Sequence, residues 1–252
     1  FKVSGNRAKL GRLSVVYDVA GKARIVGITN FWIQSAFISL HQSIFRVLGN
    51  LETDGTFDQN KPLKRLISLK SNDQQYYSFD LSAATDRLPI DLQSDILEHL
   101  GVPGHLWRAI LDFEWSFRSS WYKYACGQPM GAYSSWGMLA LTHHVVVKAA
   151  ALKVGKTNFS DYAILGDDIV IKDEEVADSY RNLMTNLGLE INMSKSVVSP
   201  HFAEFAKRWV GSNIDLTPIG AGLILQSMRS SVYVGTLFLE LVAHGLLDLR
   251  SA

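Results

Sequence analysis

A chain of 252 residues, 47% hydrophobic and 19% charged, is long and apolar enough to bury a large core, which excludes a disordered or low-complexity segment. A net charge of +1 excludes a uniformly basic nucleic-acid binder, so any grip on phosphates has to come from a local patch. The single cysteine, Cys126, excludes an internal disulfide and a multi-cysteine zinc site, and the nearest approach to a membrane span, Trp136 to Leu152, is interrupted by His143, His144 and Lys148.

The opening stretch carries Lys2, Arg7, Lys9 and Arg12 and no acid before Asp18. That composition resembles an organellar transit peptide, although a start at Phe1 favours a fragment boundary. Across Gly21-Lys22-Ala23-Arg24-Ile25-Val26, alternation predicts a strand with Lys22 and Arg24 on one face. Two neighbouring cations suit a triphosphate, Arg24 by its planar fork and Lys22 as a point charge; an edge strand kept soluble by basic residues is the plainer explanation. A helix follows from about Phe31 to Leu48, with Ile33, Phe37, Leu40, Ile44 and Leu48 on one stripe. Residues 49–75 read as loop-rich, and their basic cluster Lys61, Lys64 and Arg65 fits either a nucleic-acid phosphate or a solvated helix face.

Tyr76-Tyr77-Ser78-Phe79-Asp80-Leu81 reads as a strand that puts Asp80 and Ser78 on one face and Tyr77, Phe79 and Leu81 on the other. An acid on such an apolar strand is costly to bury without a partner, which singles out Asp80. Asp86 lies just beyond, ahead of a helix entered at Pro89, where capping and a functional role weigh equally. A further helix is expected from Pro103 to about Trp115. The loop Gly127-Gln128-Pro129-Met130-Gly131 runs through Ser134 and Ser135 into a long apolar helix, so that glycines permit close approach and amides and hydroxyls face an anion. Adjacent on that helix, His143 and His144 diverge and are expected in packing or on the surface.

In Tyr162-Ala163-Ile164-Leu165-Gly166-Asp167-Asp168-Ile169-Val170-Ile171, two apolar β-prone runs flank a Gly-Asp pair, the pattern of a tight hairpin. Paired carboxylates at its tip repel each other unless a cation intervenes, which suggests a divalent metal; alone, Gly-Asp-Asp is a short, common polar turn. An amphipathic helix from Glu174 to Leu187 ends at Gly188, a short strand follows at Leu189 to Ile191, then Asn192 to Ser196 with Lys195, a strand or hairpin from Glu204 to Val210, and apolar helices beyond Pro218. Together these elements predict an α/β chain of the α+β kind, an antiparallel sheet with helices on one face. Such a sheet brings Asp80 beside Asp167, and two carboxylates from separate strands can hold two Mg²⁺ ions for in-line displacement at phosphorus.

In this order, Asp80 and Asp86, the Gly127 to Ser135 loop and helix, Gly-Asp-Asp and Lys195 resemble the motif series of right-hand RNA-dependent RNA polymerases, with Lys22 and Arg24 matching the family's fingers motif. Ala20 to Arg24, Asp54 to Gln59, Phe79 to Pro89, Gly127 to Gly131 and Ala203 to Arg208 are similar to segments of the mitovirus branch. The resemblance implies Asp80 and Asp167 as principal metal ligands with Asp168 auxiliary, Mg²⁺ or Mn²⁺ as the ion, and Lys22 and Arg24 on the phosphates of a nucleoside triphosphate. It further implies Asp86 and Ser135 reading the ribose 2′-OH beside Gly131, Lys195 as general acid for pyrophosphate, RNA template and product as partners, and a mitochondrial setting. It divides the chain into a fingers segment at 1–75, a palm at 76–215 with a helical insertion at about 90–126, and the start of a thumb at 216–252. The Asn that many such polymerases carry eight residues after the loop glycine is Leu139 here, a departure at sugar selection. Two rival functions are a palm-fold nucleotide cyclase, which does not account for Lys22, Arg24 or the Gly127 loop, and a non-catalytic remnant that binds RNA.

Overall fold

The computed structural model describes residues 9–17, 21–69, 75–212, 215–244 and 246–247. Strands β1 (Gly11–Tyr17) and β2 (Ala23–Thr29) precede helices α1 (Phe31–Asn50) and α2 (Asn60–Ser68). Strand β3 (Tyr76–Ser82) leads through the single turn α3 (Ala84–Arg87) to α4 (Ile90–His99), α5 (Gly104–Leu111) and the short strands β4 (Trp115–Phe117) and β5 (Ser120–Tyr122). The long α6 (Ser135–Lys153) is followed by β6 (Tyr162–Leu165), β7 (Asp168–Ile171), α7 (Glu174–Asn186), β8 (Glu190–Ile191) and β9 (Val197–Ser199). Strands β10 (Phe202–Phe205) and β11 (Arg208–Gly211) form a hairpin, and α8 (Ala221–Ser227) and α9 (Ser231–Ala243) come last.

The central sheet is antiparallel with the order β6-β7-β3-β8, and β9 also pairs with β3. A central strand is covered on both sides, so alternation along β3 separates two apolar environments rather than core from solvent. On one face Phe79 and Leu81 pack with Ile164 and Ile169 beneath α6 and α7. On the other, Tyr76 packs with Ala163 and Val170 against Leu63 and Leu66 of α2 and Ala203 and Phe205 of β10. Helices were expected on one face alone; α2 and the β10–β11 hairpin also cover the second face at its Tyr76 end. Asp80, on that second face, stays half-exposed.

Helix α6 is apolar nearly all round because it is shared by two cores, and such a helix belongs in an interior. Leu139, Val146 and Val147 face the sheet, whereas Met138 and Leu141 pack with Phe37 and Ile44 of α1 and Trp107 of α5. This accounts for the hydropathy of Trp136 to Leu152. Among the described residues, no helix is long and apolar enough to cross a membrane.

Several boundaries differ from expectation for tertiary reasons. The helix expected to reach Trp115 stops at Leu111, and Trp115 is buried in β4, which joins β1 through Arg12 opposite Ser116 in a sheet of order β2-β1-β4-β5. The basic strand begins at Ala23, leaving Lys22 just ahead of it. Within the stretch read as loop, α2 forms with Lys61 and Lys64 exposed, while Arg65 donates to the carbonyl and hydroxyl of Ser160 (2.7 and 2.8 Å) and pairs with Glu52. Lys172, just after β7, holds the end of α2, donating from Nζ to the carbonyls of Leu66 (3.3 Å) and Leu69. Lys2, Arg7, Asp18 and residues 70–74 lie outside the described residues.

Candidate active site

The strand pairing of β6 and β7 ends at Leu165 opposite Asp168, so Gly166 and Asp167 are the two residues of the turn. Gly166 has φ +62 and Asp167 is not among the positive-φ residues, the pattern of a II′ hairpin turn in which glycine takes the first central position. The indole of Trp136 closes the space behind it: a Cβ on Gly166 would meet Trp136 Nε1 at 2.9 Å.

Across the other edge of β7, Asp80 stands directly opposite Asp168. Opposed residues on an antiparallel pair share a face, so the register itself brings these two carboxylates together. Asp167, expected beside Asp80, is the neighbour of Asp168 in the turn and is exposed. Asp80 is also fastened along its backbone: its amide donates to the Ser196 hydroxyl (3.4 Å) and its carbonyl accepts from the Asn192 amide (2.8 Å). The 192–196 turn thus interrupts the pairing of β8 and β9 with β3 at Asp80, and presents Lys195 with Nζ 3.7 Å from Asp80 Oδ2.

A fourth acid joins from β10. Ser78, two residues before Asp80 and hence on the same face, accepts from the Glu204 amide (3.0 Å) and docks β10 against β3. Glu204 also accepts from the Lys207 amide at 3.1 Å. Burial first, and then the charges of Asp167, Glu204 and Asp80, push Asp168 up to about 7, with Lys207 opposing them. Burial and Asp80 likewise raise Glu204. Hard oxygen donors gathered so that the charged forms of Asp168 and Glu204 are disfavoured match the requirement of Mg²⁺ or Mn²⁺ for carboxylate ligands. Among the described residues, no three His, Cys, Asp or Glu side chains already converge as a metal-holding group.

The Gly127 loop meets the same strand end. The Gly127 amide donates to the Asp86 carbonyl and the Gln128 amide to that of Thr85, both at 3.0 Å. A Cβ on Gly127 would lie 2.2 Å from the Thr85 carbonyl oxygen, so a side chain there is sterically forbidden. Desolvation raises the Asp86 carboxyl, and burial together with Asp86 pushes the Tyr124 hydroxyl up to about 12. Gly131 has φ +112 and lies against Val26 and the Gly27 carbonyl, and the Gly27 amide donates to Met130 (2.7 Å), tying the basic strand to this loop. Lys22 and Arg24 stand exposed at the start of that strand. Ser135 is 3% exposed at the head of α6, its carbonyl accepting from Gln128 (3.0 Å). Leu139 is buried in the sheet-facing core, well suited to packing and unable to hydrogen-bond a ribose.

The two histidines expected in packing or on the surface are buried and polar-bonded to the hairpin. His143 donates from Nδ1 to the Gly166 carbonyl (2.8 Å), since a carbonyl can only accept, which leaves Nε2 to accept from the Tyr180 hydroxyl (2.7 Å). His144 donates from Nε2 to Asp54 (3.0 Å) and meets the Tyr162 hydroxyl through Nδ1 (3.0 Å). Their divergence on α6 is what lets one hold the turn and the other the start of β6. Sequence reasoning also passed over Glu204, although an acid on a short apolar strand is the same signal that singled out Asp80.

Two solved structures share this architecture. The insertion-loop deletion mutant of the RNA-dependent RNA polymerase of a human picobirnavirus has a TM-score of 0.66 at 20% identity, over 81% of this chain and 45% of that one. Telomerase from Candida albicans has a TM-score of 0.61 at 12% identity, over 85% and 46%. The fold is therefore that of the right-hand nucleic-acid polymerases, an α+β palm with its acids at a hairpin. More particularly, the chain belongs to the mitovirus RNA-dependent RNA polymerase family, whose family model matches residues 1–251. It is 52% identical over 245 residues to the RNA-directed RNA polymerase of Cryphonectria parasitica mitovirus 1, covering 95% of this chain and 30% of that protein. It is also 39% identical over 197 residues to an uncharacterised mitochondrial protein of Arabidopsis thaliana, covering 72% of this chain and 77% of that one. The chain thus spans under a third of the mitovirus polymerase it matches.

Proposed function

We propose that this chain is the catalytic core of an RNA-directed RNA polymerase that transfers nucleotides from nucleoside triphosphates to an RNA 3′-OH on an RNA template. One observation carries the proposal: the β3–β7 register opposes Asp80 and Asp168 beside Asp167, with Lys195 3.7 Å from Asp80. Asp80 and Asp167, with Asp168 in support, are the proposed ligands of Mg²⁺ or Mn²⁺. Bound there, the ions lower the pKa of the attacking hydroxyl and stabilise charge on the phosphoryl and leaving oxygens.

The chain's own groups do the remaining work in this proposal. Lys22 and Arg24 bind the triphosphate, and Lys195 holds the proton given to departing pyrophosphate. Asp86 accepts from the ribose 2′-OH at the Gly127 to Gly131 loop, with Ser135 supporting that end of α6. In this organisation residues 76–215 are the palm, with a helical insertion at about 90–126, flanked by a fingers segment at 1–75 and the start of a thumb at 216–252. The mitochondrion is the proposed setting, supported by the mitovirus family and by the plant relative's mitochondrial description. The test is template-directed incorporation with Mg²⁺ or Mn²⁺ by the wild type and Asp167→Ala. Loss of incorporation in the variant supports the assignment, and equal incorporation by both defeats it.

A further inference from the structure

Beside the acid cluster lies a feature that nucleotidyl transfer itself does not use. Helices α1 and α6 approach closely at Gly137, where a Cβ would meet Ile44 and Phe45 at 3.1 Å. Along one edge of that crossing the aromatic rings form a connected series. Tyr133 stands edge-on to His41 at 4.5 Å, and His41 lies 4.0 Å from Phe45. Phe45 in turn contacts Trp136 at 5.7 Å and Phe57, edge-on, at 6.0 Å. In an interior this would be ordinary packing, but its outer members are in solvent: Phe57 is 69% exposed, Tyr133 47% and Trp136 38%. The series also reaches the catalytic turn, because Trp136 Nε1 lies 2.9 Å from the position of a Cβ on Gly166.

The loop carrying Phe57 is held in place rather than left loose. Asp54 is buried, paired to His144 (3.0 Å), and accepts from the Thr56 amide (2.8 Å). The Gly55 amide donates to the Ile164 carbonyl of β6 (2.8 Å), and the Phe57 ring rests against Gly49. A rigid mount beneath an exposed ring is how a contact surface is preorganised.

We propose that Tyr133, Phe57 and Trp136 form a stacking edge for the unpaired bases of a single-stranded RNA passing the Gly166–Asp168 turn. The proposal rests on the polymerase function above and assigns it a strand-binding surface. Exposed ring faces suit bases of any sequence, since every base has a π-face, whereas in a duplex those faces are already stacked on one another. A protein seated on Trp136 would cover the turn that the reaction needs open, which favours a nucleic-acid strand as the occupant.

The test is fluorescence anisotropy of the full chain with a labelled single-stranded RNA and with a blunt duplex of the same sequence. Phe57→Ala and Tyr133→Ala are each expected to weaken single-strand binding about tenfold, the effect of one lost stack, with duplex binding unchanged. Phe57→Trp restores it, and the ratio of wild type to variant holds between about 50 and 200 mM salt, because stacking releases no counterions. Unchanged single-strand binding in both alanine variants overturns the proposal, as does an equal loss on duplex or a failure of Phe57→Trp to rescue. Asp167→Ala is run alongside: incorporation by that variant would sink the catalytic assignment without altering the binding result that judges the stacking edge.

Discussion

The imidazole of His143 donates from Nδ1 to the carbonyl of Gly166 at 2.8 Å, so the turn that bears Asp167 hangs from a helix in the middle of the core. On its far side the same ring accepts from Tyr180, which stacks at 5.9 Å on Phe79, the neighbour of Asp80. Both acidic strand ends are therefore braced by one buried polar and aromatic layer.

Replacing that ring tests the brace. His143→Leu leaves the Gly166 carbonyl and the Tyr180 hydroxyl without their partner, and a buried group so stranded costs about 1–3 kcal/mol. His143→Asn keeps a donor near the Nδ1 position and is expected to recover part of the loss. Urea denaturation of the two variants ranks them, and equal stability of His143→Leu and wild type would contradict the assignment.

Acid sensitivity follows from the same burial, which lowers His143 from 6.5 to about 4. The unfolded chain takes up this proton as pH falls through about 6.5, and the folded protein only near 4. Stability present above the unfolded value is therefore lost between about pH 6.5 and about pH 4, by roughly 3 kcal/mol at most. Denaturation midpoints measured across that window should fall more steeply for the wild type than for His143→Asn.

Asp168→Asn separates function from stability. Removing a charge disfavoured first by burial and then by Asp167, Glu204 and Asp80 is expected to stabilise the chelator-treated protein by about 1 kcal/mol at about pH 8, while incorporation falls on the order of 100-fold or more. Thermal melting and a primer-extension assay on the same preparation read the two effects. A variant that is less stable and equally active would reverse the assignment.

Gly127→Ala places a methyl 2.2 Å from the Thr85 carbonyl oxygen and 2.5 Å from that of Asp86, backbone atoms that cannot swing aside. The expected cost is about 2–3 kcal/mol, in the range of an overpacked core. Gly222→Ala, with nothing within 4 Å of its Cβ position, serves as the control and is expected to be neutral or slightly stabilising in α8. Denaturant midpoints for the pair give the comparison.

Much of this protein is written locally. Apolar periodicity, Gly188 as a helix terminator, and a glycine at the start of a two-residue turn placed α1, α7 and the Gly166 hairpin, because such signals act over a few residues of chain. The acid on an apolar strand drew attention to Asp80 for the same reason, through the cost of burying its charge. Tertiary structure alone decided which carboxylates meet. Strand register opposes Asp80 to Asp168, 88 positions further along the chain, Ser78 draws Glu204 in from β10, and α6 turns two adjacent histidines into separate anchors. A side chain's partner in space is fixed by pairing and packing between distant segments, and neither leaves a periodic trace in the sequence.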